Sequence, residues 1–250
     1  MKACAMPDAV FPFADGVKYV SNCSLKLSGE PWQFALTHAA DIDAHWQAAT
    51  KANSSYFNGI VHLIDSVRLS DDVLEATLTR TDFKSYLHWR LSGYPEAGVL
   101  DGFGSAVIRS SDGDILLAQQ LPGNVNYGFA CLPSGFIDAR DVQPDGTIDI
   151  ARSIAREIAE ELGAVANHVE REGRFIVARS GTQLCFAILF DASLSTAEIK
   201  RHVEEHNATS DDPELEAIIP VARLADIADL KMLPYARALL EALFAARPKF

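Results

Sequence analysis

The run Arg156-Glu-Ile-Ala-Glu-Glu-Leu-Gly163 constrains the fold of this chain more than any other segment. On a helix, Glu157, Glu160 and Glu161 stand at positions i, i+3 and i+4, so three carboxylates lie within one turn. Like charges at this spacing repel one another, at a cost of roughly 0.2–0.5 kcal/mol per pair. A divalent cation removes that penalty, because Mg²⁺, Mn²⁺ and Ca²⁺ prefer carboxylate oxygens. The run therefore predicts a helix that binds a metal ion.

The residues around the glutamates predict a helix with one buried face. Ile154, Ile158 and Leu162 recur every fourth residue and form an apolar stripe. Asp149 is placed to cap the amino end of the helix, and Gly163 is placed to end it. On a helical wheel the stripe is centred about 90–110° from the midpoint of the glutamates. We therefore expect the carboxylates to border the buried face without lying in it.

Composition limits the partners of the chain. Its 250 residues are 48% hydrophobic, enough for a full core, and their net charge of −12 disfavours nucleic acid polymers and anionic membranes as partners. The four cysteines lack zinc-ligand spacing, no apolar run is long enough to cross a membrane, and the first residues do not match a signal peptide. We expect a cytoplasmic protein that acts on a small molecule, and a homodimer is compatible with the sequence.

The chain divides at a turn-rich stretch, residues 91–98, into an N-terminal module at 1–97 and a larger domain at 98–250. The first part has strand patterns near 17–26, 60–68 and 72–80 and helical patterns near 38–51 and 81–91. The second part has strand patterns near 105–109, 114–120, 127–133, 172–179, 183–191 and 215–221, and helical patterns near 150–162, 195–206 and 234–246. This alternation predicts an α/β fold with a mixed sheet covered on both faces, preceded by a small α+β module.

The glutamate run also resembles a known motif. Residues 156–163 match the central half of the Nudix box, R-E-U-x-E-E-x-G, and a Pro-x-Gly loop, an earlier hairpin and two later strands match its setting. The chain is therefore similar to the Nudix hydrolase superfamily over about residues 102–246. The resemblance implies an α/β/α sandwich and the metal-dependent hydrolysis of a diphosphate that joins a nucleoside to another moiety, as in a nucleotide sugar.

The resemblance also implies roles for individual residues. Glutamates that match Glu157, Glu160 and Glu161 hold Mg²⁺ or Mn²⁺, and a backbone carbonyl near Gly135 often contributes. The arginine that matches Arg156 orients a metal-binding carboxylate, and Arg156 is placed one turn before Glu160. We predict Glu157, Glu160, Glu161 and Gly135 as metal ligands, and Arg156, Glu160 and Glu161 as catalytic residues.

The chain departs from the motif in the loop before the helix. The motif has a glutamate eight residues before its arginine, where this chain has Ile148, and the loop that follows Gly135 is longer than in the motif. Alternative carboxylates around the gap are those of Asp138, Asp145 and Asp149. The number of metal ions is therefore left open.

For the other candidate residues, the alternative to a functional role is an ordinary position in the core or on the solvated surface. The general base is left open among four glutamates near a late polar loop, Glu204, Glu205, Glu214 and Glu216. Candidates for phosphate contacts are Arg140 and Arg174, and candidates for stacking on a base are Tyr127 and Phe129.

A weaker likeness links the chain to the Nudix subfamily that splits UDP-sugars. Its members also have an N-terminal module, a long loop before the box helix and a Ser/Thr-rich helix start like residues 195–202, but their box helix is degenerate. The N-terminal module could cap the site, shape specificity or form a dimer interface. The alternative function is a catalytically inactive Nudix-like protein that binds a nucleotide as a regulator. Such domains lose box glutamates, so the three that remain here favour an enzyme.

Overall fold

Residues 14–246 are described by a computed structural model of the chain. The strands are β1 (Gly16–Val20), β2 (Asn22–Leu27), β3 (Ile60–Ser70), β4 (Val73–Asp82), β5 (Asp101–Arg109), β6 (Ile115–Gln120), β7 (Ala130–Cys131), β8 (Ser134–Phe136), β9 (Thr147–Ile148), β10 (Val169–Ser180), β11 (Gln183–Ala192) and β12 (Leu215–Val221). The helices are α1 (Gln33–Thr37), α2 (Ala39–Ala52), α3 (Phe83–Leu91), α4 (Ile150–Leu162), α5 (Thr196–Thr209) and α6 (Pro234–Ala246). Short 3₁₀ helices span Ala139–Asp141, Gly163–His168 and Leu224–Ile227.

The larger sheet has the strand order β1-β10-β11-β5-β6-β12, with β7 beside β6 and β8 beside β5. Strands β11 and β5 run parallel, whereas the other pairs are antiparallel. Both central strands are buried along almost their whole length, as expected for strands with both faces covered. Helices α4 and α5 pack on one face and α6 on the other. The predicted α/β fold with a mixed sheet between helical layers is confirmed.

The smaller sheet has the order β3-β4-β2-β9, and an aromatic core around Trp89 lies beside it. Two strand pairings connect the two sides of the predicted division at residue 97. Strand β1 pairs with β10, and strand β9 pairs with β2. Leu25 and Leu78 of the smaller sheet also lie in the same core cluster as Ile154 of α4. The division into an accessory module at 1–97 and a domain at 98–250 stays a proposal, and the two parts share a core.

Most predicted elements appear close to their predicted limits, but neither residues 17–26 nor residues 127–133 form one strand. The first segment divides into β1 and β2, which belong to different sheets. Turns occupy the first part of residues 127–133, where Gly128 has a φ of +79°, and only Ala130 and Cys131 pair in a strand. Neither the short α1 nor β9 was predicted, because each is too short to show a periodic pattern. Three cysteines, Cys23, Cys131 and Cys185, are free and buried. The fourth, Cys4, and the residues used to assess a signal peptide lie outside the described part of the chain.

Between residues 14 and 246, no helix is both long and apolar enough to cross a membrane.

The seating of α4 on the sheet depends on a glycine. A Cβ atom at Gly104 of β5 would lie 2.7 Å from Cγ1 of Ile154 and 3.3 Å from Cδ1 of Ile150. Both isoleucines are fully buried, so neither can move aside without disturbing the core. The absence of a side chain at Gly104 therefore sets how closely the glutamate helix approaches the sheet.

We expect Gly104→Ala to lower the free energy of unfolding by about 1–3 kcal/mol, because the added methyl overpacks the helix–sheet contact. The matched control is Gly173→Ala on β10, where a Cβ meets open space and no positive φ is required. That control should stay within about 0.5 kcal/mol of wild type. Urea unfolding of the three proteins makes the measurement, and equal effects of the two substitutions would contradict the assignment.

Candidate active site

Helix α4 begins and ends as its sequence predicts. The Asp149 side chain accepts a hydrogen bond from the backbone N–H of Arg152 at 3.0 Å, and Gly163 ends the helix with a φ of +58°. A Cβ at Gly163 would also lie 2.6 Å from Nδ1 of His206, so this position excludes a side chain for two reasons. Nε2 of His206 lies 2.8 Å from the backbone carbonyl oxygen of Glu160. These contacts fix the last turn of the helix, which carries two of the three glutamates.

The expectation that the carboxylates only border the buried face is wrong for two of them. Glu157 is 7% exposed and Glu161 is 2% exposed, whereas Glu160 keeps about a third of its side chain in solvent. The helical wheel assumes one packing surface. Helix α4 instead contacts β5 and β11 on one side and β8 and the Ala139–Asp141 turn on another. The glutamate face is therefore covered by a second set of elements.

Gly135 of β8 lies directly against Glu157. A methyl group at Gly135 would overlap the Glu157 carboxylate, so only glycine allows this approach. Strand β8 is held in place by antiparallel pairing with β5, including the pair Gly104 and Gly135. The predicted metal ligands Gly135 and Glu157 are thus brought together, although their role as ligands stays a prediction.

Arg156 is the centre of an ion-pair network around the helix. Its Nη1 donates to Oε1 of Glu157 at 2.8 Å and to Oε2 of Glu160 at 3.0 Å, which is the contact expected from the spacing of Arg156 and Glu160. Its Nη2 donates to both carboxylate oxygens of Asp141, at 3.0 and 3.2 Å. Asp141 is 2% exposed and also accepts from the backbone N–H of Asp138. The Asp141 carboxylate therefore fixes the guanidinium that in turn orients two glutamates.

Sequence reasoning missed Asp141. The alternatives considered for the absent glutamate were Asp138, Asp145 and Asp149. Each of them accepts hydrogen bonds from residues close to it in sequence. Asp138 and Asp141 form a reciprocal capping box around a 3₁₀ turn, Asp145 accepts from Thr147, and Asp149 is the cap of α4. The three-residue spacing of Asp138 and Asp141 was the available signal, since it matches the pattern of a capping box.

Arg140 lies at the exposed end of the same network. Its Nη1 donates to Oε1 of Glu160 at 2.7 Å, and its Nη2 donates to Oδ2 of Asp138 at 2.6 Å. More than half of the Arg140 side chain is exposed, so a ligand in the cleft can reach its guanidinium. The second arginine candidate, Arg174, pairs instead with Asp72 and with the backbone carbonyl of Tyr19.

Burial dominates the electrostatics of the carboxylates. It raises the pKa of Glu157 to about 7, which the Arg156 charge opposes and the Glu160 charge reinforces. It also raises the pKa of Glu161 well above its ordinary value, with further contributions from Glu214 and Glu157. The pKa of Glu214 is raised mainly by burial as well. These carboxyl groups are thus desolvated and close enough to repel one another.

The acidic groups have the chemistry of a Mg²⁺ or Mn²⁺ site. Within the described range 14–246, no three acidic, histidine or cysteine side chains already converge into a finished metal site. However, Oε2 of Glu161 is buried without a hydrogen-bond partner, and a buried, unpaired carboxylate oxygen is costly unless a cation or donor meets it. Hard carboxylate and carbonyl oxygens are the ligands that these ions prefer. The residues present therefore fit the ion that the motif implies.

A cleft of about 1110 Å³ contains this site. Its lining residues come from both parts of the chain. The N-terminal part contributes Ser55, Tyr56, Phe57, Gly59, Ile60, Val61, Phe83, Tyr86 and Arg90. The rest includes Asp101, Gln120, Asn124, Asn126, Gly135, Phe136, Asp138, Arg140, Glu157, Glu160, Gln183, His206, Asp212 and Glu214. The volume is ample for a nucleotide-sized ligand, because small-molecule sites commonly occupy about 300–1,000 Å³.

The remaining candidate residues differ in whether they line the cleft. Of the four glutamates considered as general base, Glu214 lines the cleft, whereas Glu204, Glu205 and Glu216 are exposed outside it. The aromatic candidates Tyr127 and Phe129 also lie outside the lining, and Phe129 packs under the Lys231 ammonium. Aromatic rings at the cleft come from other segments, which the sequence did not distinguish from core residues.

No protein-family model and no curated protein matches this chain. Among solved structures it is similar to a Nudix hydrolase from M. smegmatis, with 18% identity over 60% of this chain and 88% of that chain and a TM-score of 0.40. It is also similar to the MutT protein from Methanosarcina mazei Go1, with 20% identity over 60% and 96% of the two chains and a TM-score of 0.38. A Nudix hydrolase from Nitrosomonas europaea matches with 17% identity, 58% and 89% coverage and a TM-score of 0.38.

The raised pKa of Glu157 makes a prediction about pH. Because its folded-state pKa of about 7 exceeds its ordinary value of 4.5, its stabilising contribution is complete at low pH and is lost as the pH rises through 7. Relative to Glu157→Gln, metal-free wild type should lose on the order of 1 kcal/mol of stability between about pH 6 and about pH 8. Chemical unfolding in a chelator at both pH values measures this.

The control is Glu216→Gln, an exposed carboxyl outside the cleft, which should follow the wild-type pH dependence. Parallel behaviour of wild type and Glu157→Gln would show that Glu157 ionises normally in the folded protein.

Proposed function

We propose that this protein hydrolyses the diphosphate linkage of a nucleoside diphosphate joined to another moiety, such as a nucleotide sugar, with Mg²⁺ or Mn²⁺. The observation that supports this most directly is the placement of Glu157, Glu160 and Glu214 on one large cleft, with Arg140 beside them. The buried carboxylate of Glu161 interacts with both Glu157 and Glu214. Such a cluster of desolvated like charges is expensive to maintain, and a cation-dependent reaction explains why it is kept.

The chemistry of a diphosphate suits this arrangement. Its negative charges repel an incoming nucleophile, which makes uncatalysed hydrolysis slow. A bound divalent ion would supply charge neutralisation and lower the pKa of a water molecule. Glu157 and Glu161 are the residues that would hold it, with Glu160 and the backbone of Gly135 as further ligands. Arg156 positions Glu157 and Glu160, and Asp141 positions Arg156.

Two further residues have roles in the proposed reaction. Arg140 is the cation that a phosphate group can reach, because its side chain is more than half exposed at the cleft. Glu214 is the residue placed to accept the proton of the attacking water. Its pKa is raised by burial, and a general base is most effective when its pKa lies near the working pH.

A screen of nucleoside diphosphate conjugates with Mg²⁺ or Mn²⁺ tests the proposal, with the released phosphate groups identified. We expect turnover of at least one conjugate, and Glu161→Gln should lower kcat by at least about 100-fold, in the range that one positioned catalytic group contributes. Circular dichroism and thermal unfolding would show that the variant is folded. Ligand binding without turnover on any compound would favour the alternative, a nucleotide-binding regulator.

The assignment of the base makes a separate prediction. Glu214→Gln should lower kcat by about 100-fold or more and remove the acidic limb of the pH–rate profile. Glu216→Gln is the matched control, because Glu216 lies two residues away on β12 but is exposed outside the cleft. Equal activity of the two variants would exclude Glu214 as the base while leaving the metal helix intact.

A further inference from the structure

Asp101 is a buried carboxylate in the cleft that the proposed reaction does not use. It begins β5, is 1% exposed, and lines the same cleft as the glutamates of α4. Its Oδ2 accepts hydrogen bonds from the hydroxyls of Tyr86 at 3.1 Å and Tyr94 at 2.9 Å. Its Oδ1 is buried and has no hydrogen-bond partner among the described residues. One oxygen of a rigidly held carboxylate is therefore left to accept a hydrogen bond from a ligand.

Gln183 is the neighbouring side chain that also acts on the Asp101 carboxylate. Burial raises the pKa of Asp101, and the Arg90 charge and hydrogen bonds from Tyr94, Tyr86 and Gln183 oppose that rise. Gln183 lines the cleft, but its amide does not come into hydrogen-bond geometry with Oδ1. Leaving a buried acceptor unpaired costs about 1–3 kcal/mol, and more for a charged group. A buried acceptor without a partner calls for an explanation, and a bound group that supplies the partner is one such explanation.

The charge of Asp101 is balanced by Arg90. The guanidinium of Arg90 donates to the Tyr86 hydroxyl at 3.0 Å, to Oδ1 of Asn126 at 2.8 Å and to the carbonyl of Val125 at 3.4 Å. The positive charge of Arg90 therefore lies one hydroxyl group away from the Asp101 carboxylate. The opposite charges of Arg90 and Asp101 largely offset one another, so this part of the cleft suits an uncharged group that donates hydrogen bonds.

Aromatic rings lie beside this polar group. The ring centroids of Tyr86 and Phe136 are 4.9 Å apart, and those of Phe83 and Phe136 are 5.9 Å apart, all three rings lining the cleft. Phe57 also lines the cleft and is 78% exposed, an unusual state for a large apolar side chain. Faces of aromatic rings pack well against flat bases and against the C–H faces of sugars. These surroundings favour a ligand group that is itself a ring and carries hydrogen-bond donors.

A chain of polar contacts connects Asp101 with the glutamate helix. Asn126, which accepts from Arg90, donates its backbone N–H to Oε1 of Gln120 at 3.3 Å, and the Gln120 side chain interacts with Glu161. Asp101 and the glutamates thus belong to one continuous wall of one cleft. A single molecule can contact both groups.

We propose that Asp101 binds the organic moiety of the substrate by accepting, at Oδ1, a hydrogen bond from a hydroxyl or amino group of an uncharged sugar or nucleobase. The ring of that moiety packs on Phe136 and its aromatic neighbours, while the diphosphate lies at the glutamate helix. This assignment rests on the proposed function, because it concerns the part of the substrate that the diphosphate carries. Arg90, Tyr86 and Tyr94 are positioning residues that hold the carboxylate.

Equilibrium binding without metal tests this assignment separately from hydrolysis. The full chain in a chelator is titrated with free nucleosides (adenosine, guanosine, cytidine and uridine) and with free sugars (ribose, glucose and galactose), and binding is followed by ligand-observed NMR. We expect at least one nucleoside or sugar to bind wild type. Asp101→Ala should weaken that ligand about tenfold or more, because a hydrogen bond to a charged acceptor is lost, and Asp101→Asn should have a smaller effect.

The matched control is Asp229→Asn, an exposed carboxylate outside the cleft, which should bind like wild type. Whether the best ligand is a nucleoside or a free sugar decides which part of the substrate meets Asp101.

Analogues that each lack one hydroxyl or amino donor complete a double-mutant cycle. One analogue should lose about tenfold in affinity for wild type but little for Asp101→Asn, and this comparison remains available if Asp101→Ala does not fold. The assignment is overturned if no nucleoside or sugar binds wild type, or if every donor deletion has the same effect on both proteins. Binding that depends on Asp101, together with no hydrolysis of any conjugate, would instead overturn the proposed function alone.

Discussion

The burial of like-charged carboxylates on α4 is the constraint on which the rest of this structure depends. Removing Glu157 and Glu161 from water costs several kcal/mol for each ionised group, and the surrounding residues offset only part of this cost. Arg156 supplies the counter-charge for Glu157, and buried Asp141 holds Arg156 in place. Two glycines, Gly104 beneath the helix and Gly135 beside it, remove the side chains that would otherwise keep the carboxylates at a distance.

The N-terminal part of the chain completes the site as its opposite wall. A hydrogen bond at 2.7 Å from Nδ2 of Asn53 to the carbonyl of Gly123 joins the two walls near the loop that holds Asn126. Arg90 of α3 reaches across to the same loop. Of the roles considered for this part of the chain, these contacts favour shaping the specificity of the cleft.

The sequence predicted the elements whose signals are local. The limits of α4, its cap at Asp149 and its end at Gly163 follow from residues within a few positions of one another. The burial of Glu157 could not be read from a helical wheel, because it depends on β8 folding back over the helix. Asp101 carries no local signal that distinguishes it from other aspartates, and the capping-box spacing of Asp141 does not reveal its contact with Arg156. Their importance arises from partners that are distant in sequence, such as Arg156 for Asp141 and Tyr86 for Asp101.

Strands β1 and β9 each pair with a strand from the other part of the chain, which makes the folding of each part depend on the other. Without residues 16–27, the edge of β10 would lose its backbone partner and β9 would lose the strand that holds the loop before α4. A fragment that begins at residue 98 would thus expose a long sheet edge and release the turn that contains Asp141. We therefore expect the two parts to unfold together, because residues 16–27 hold both an edge of the larger sheet and the strand that precedes α4.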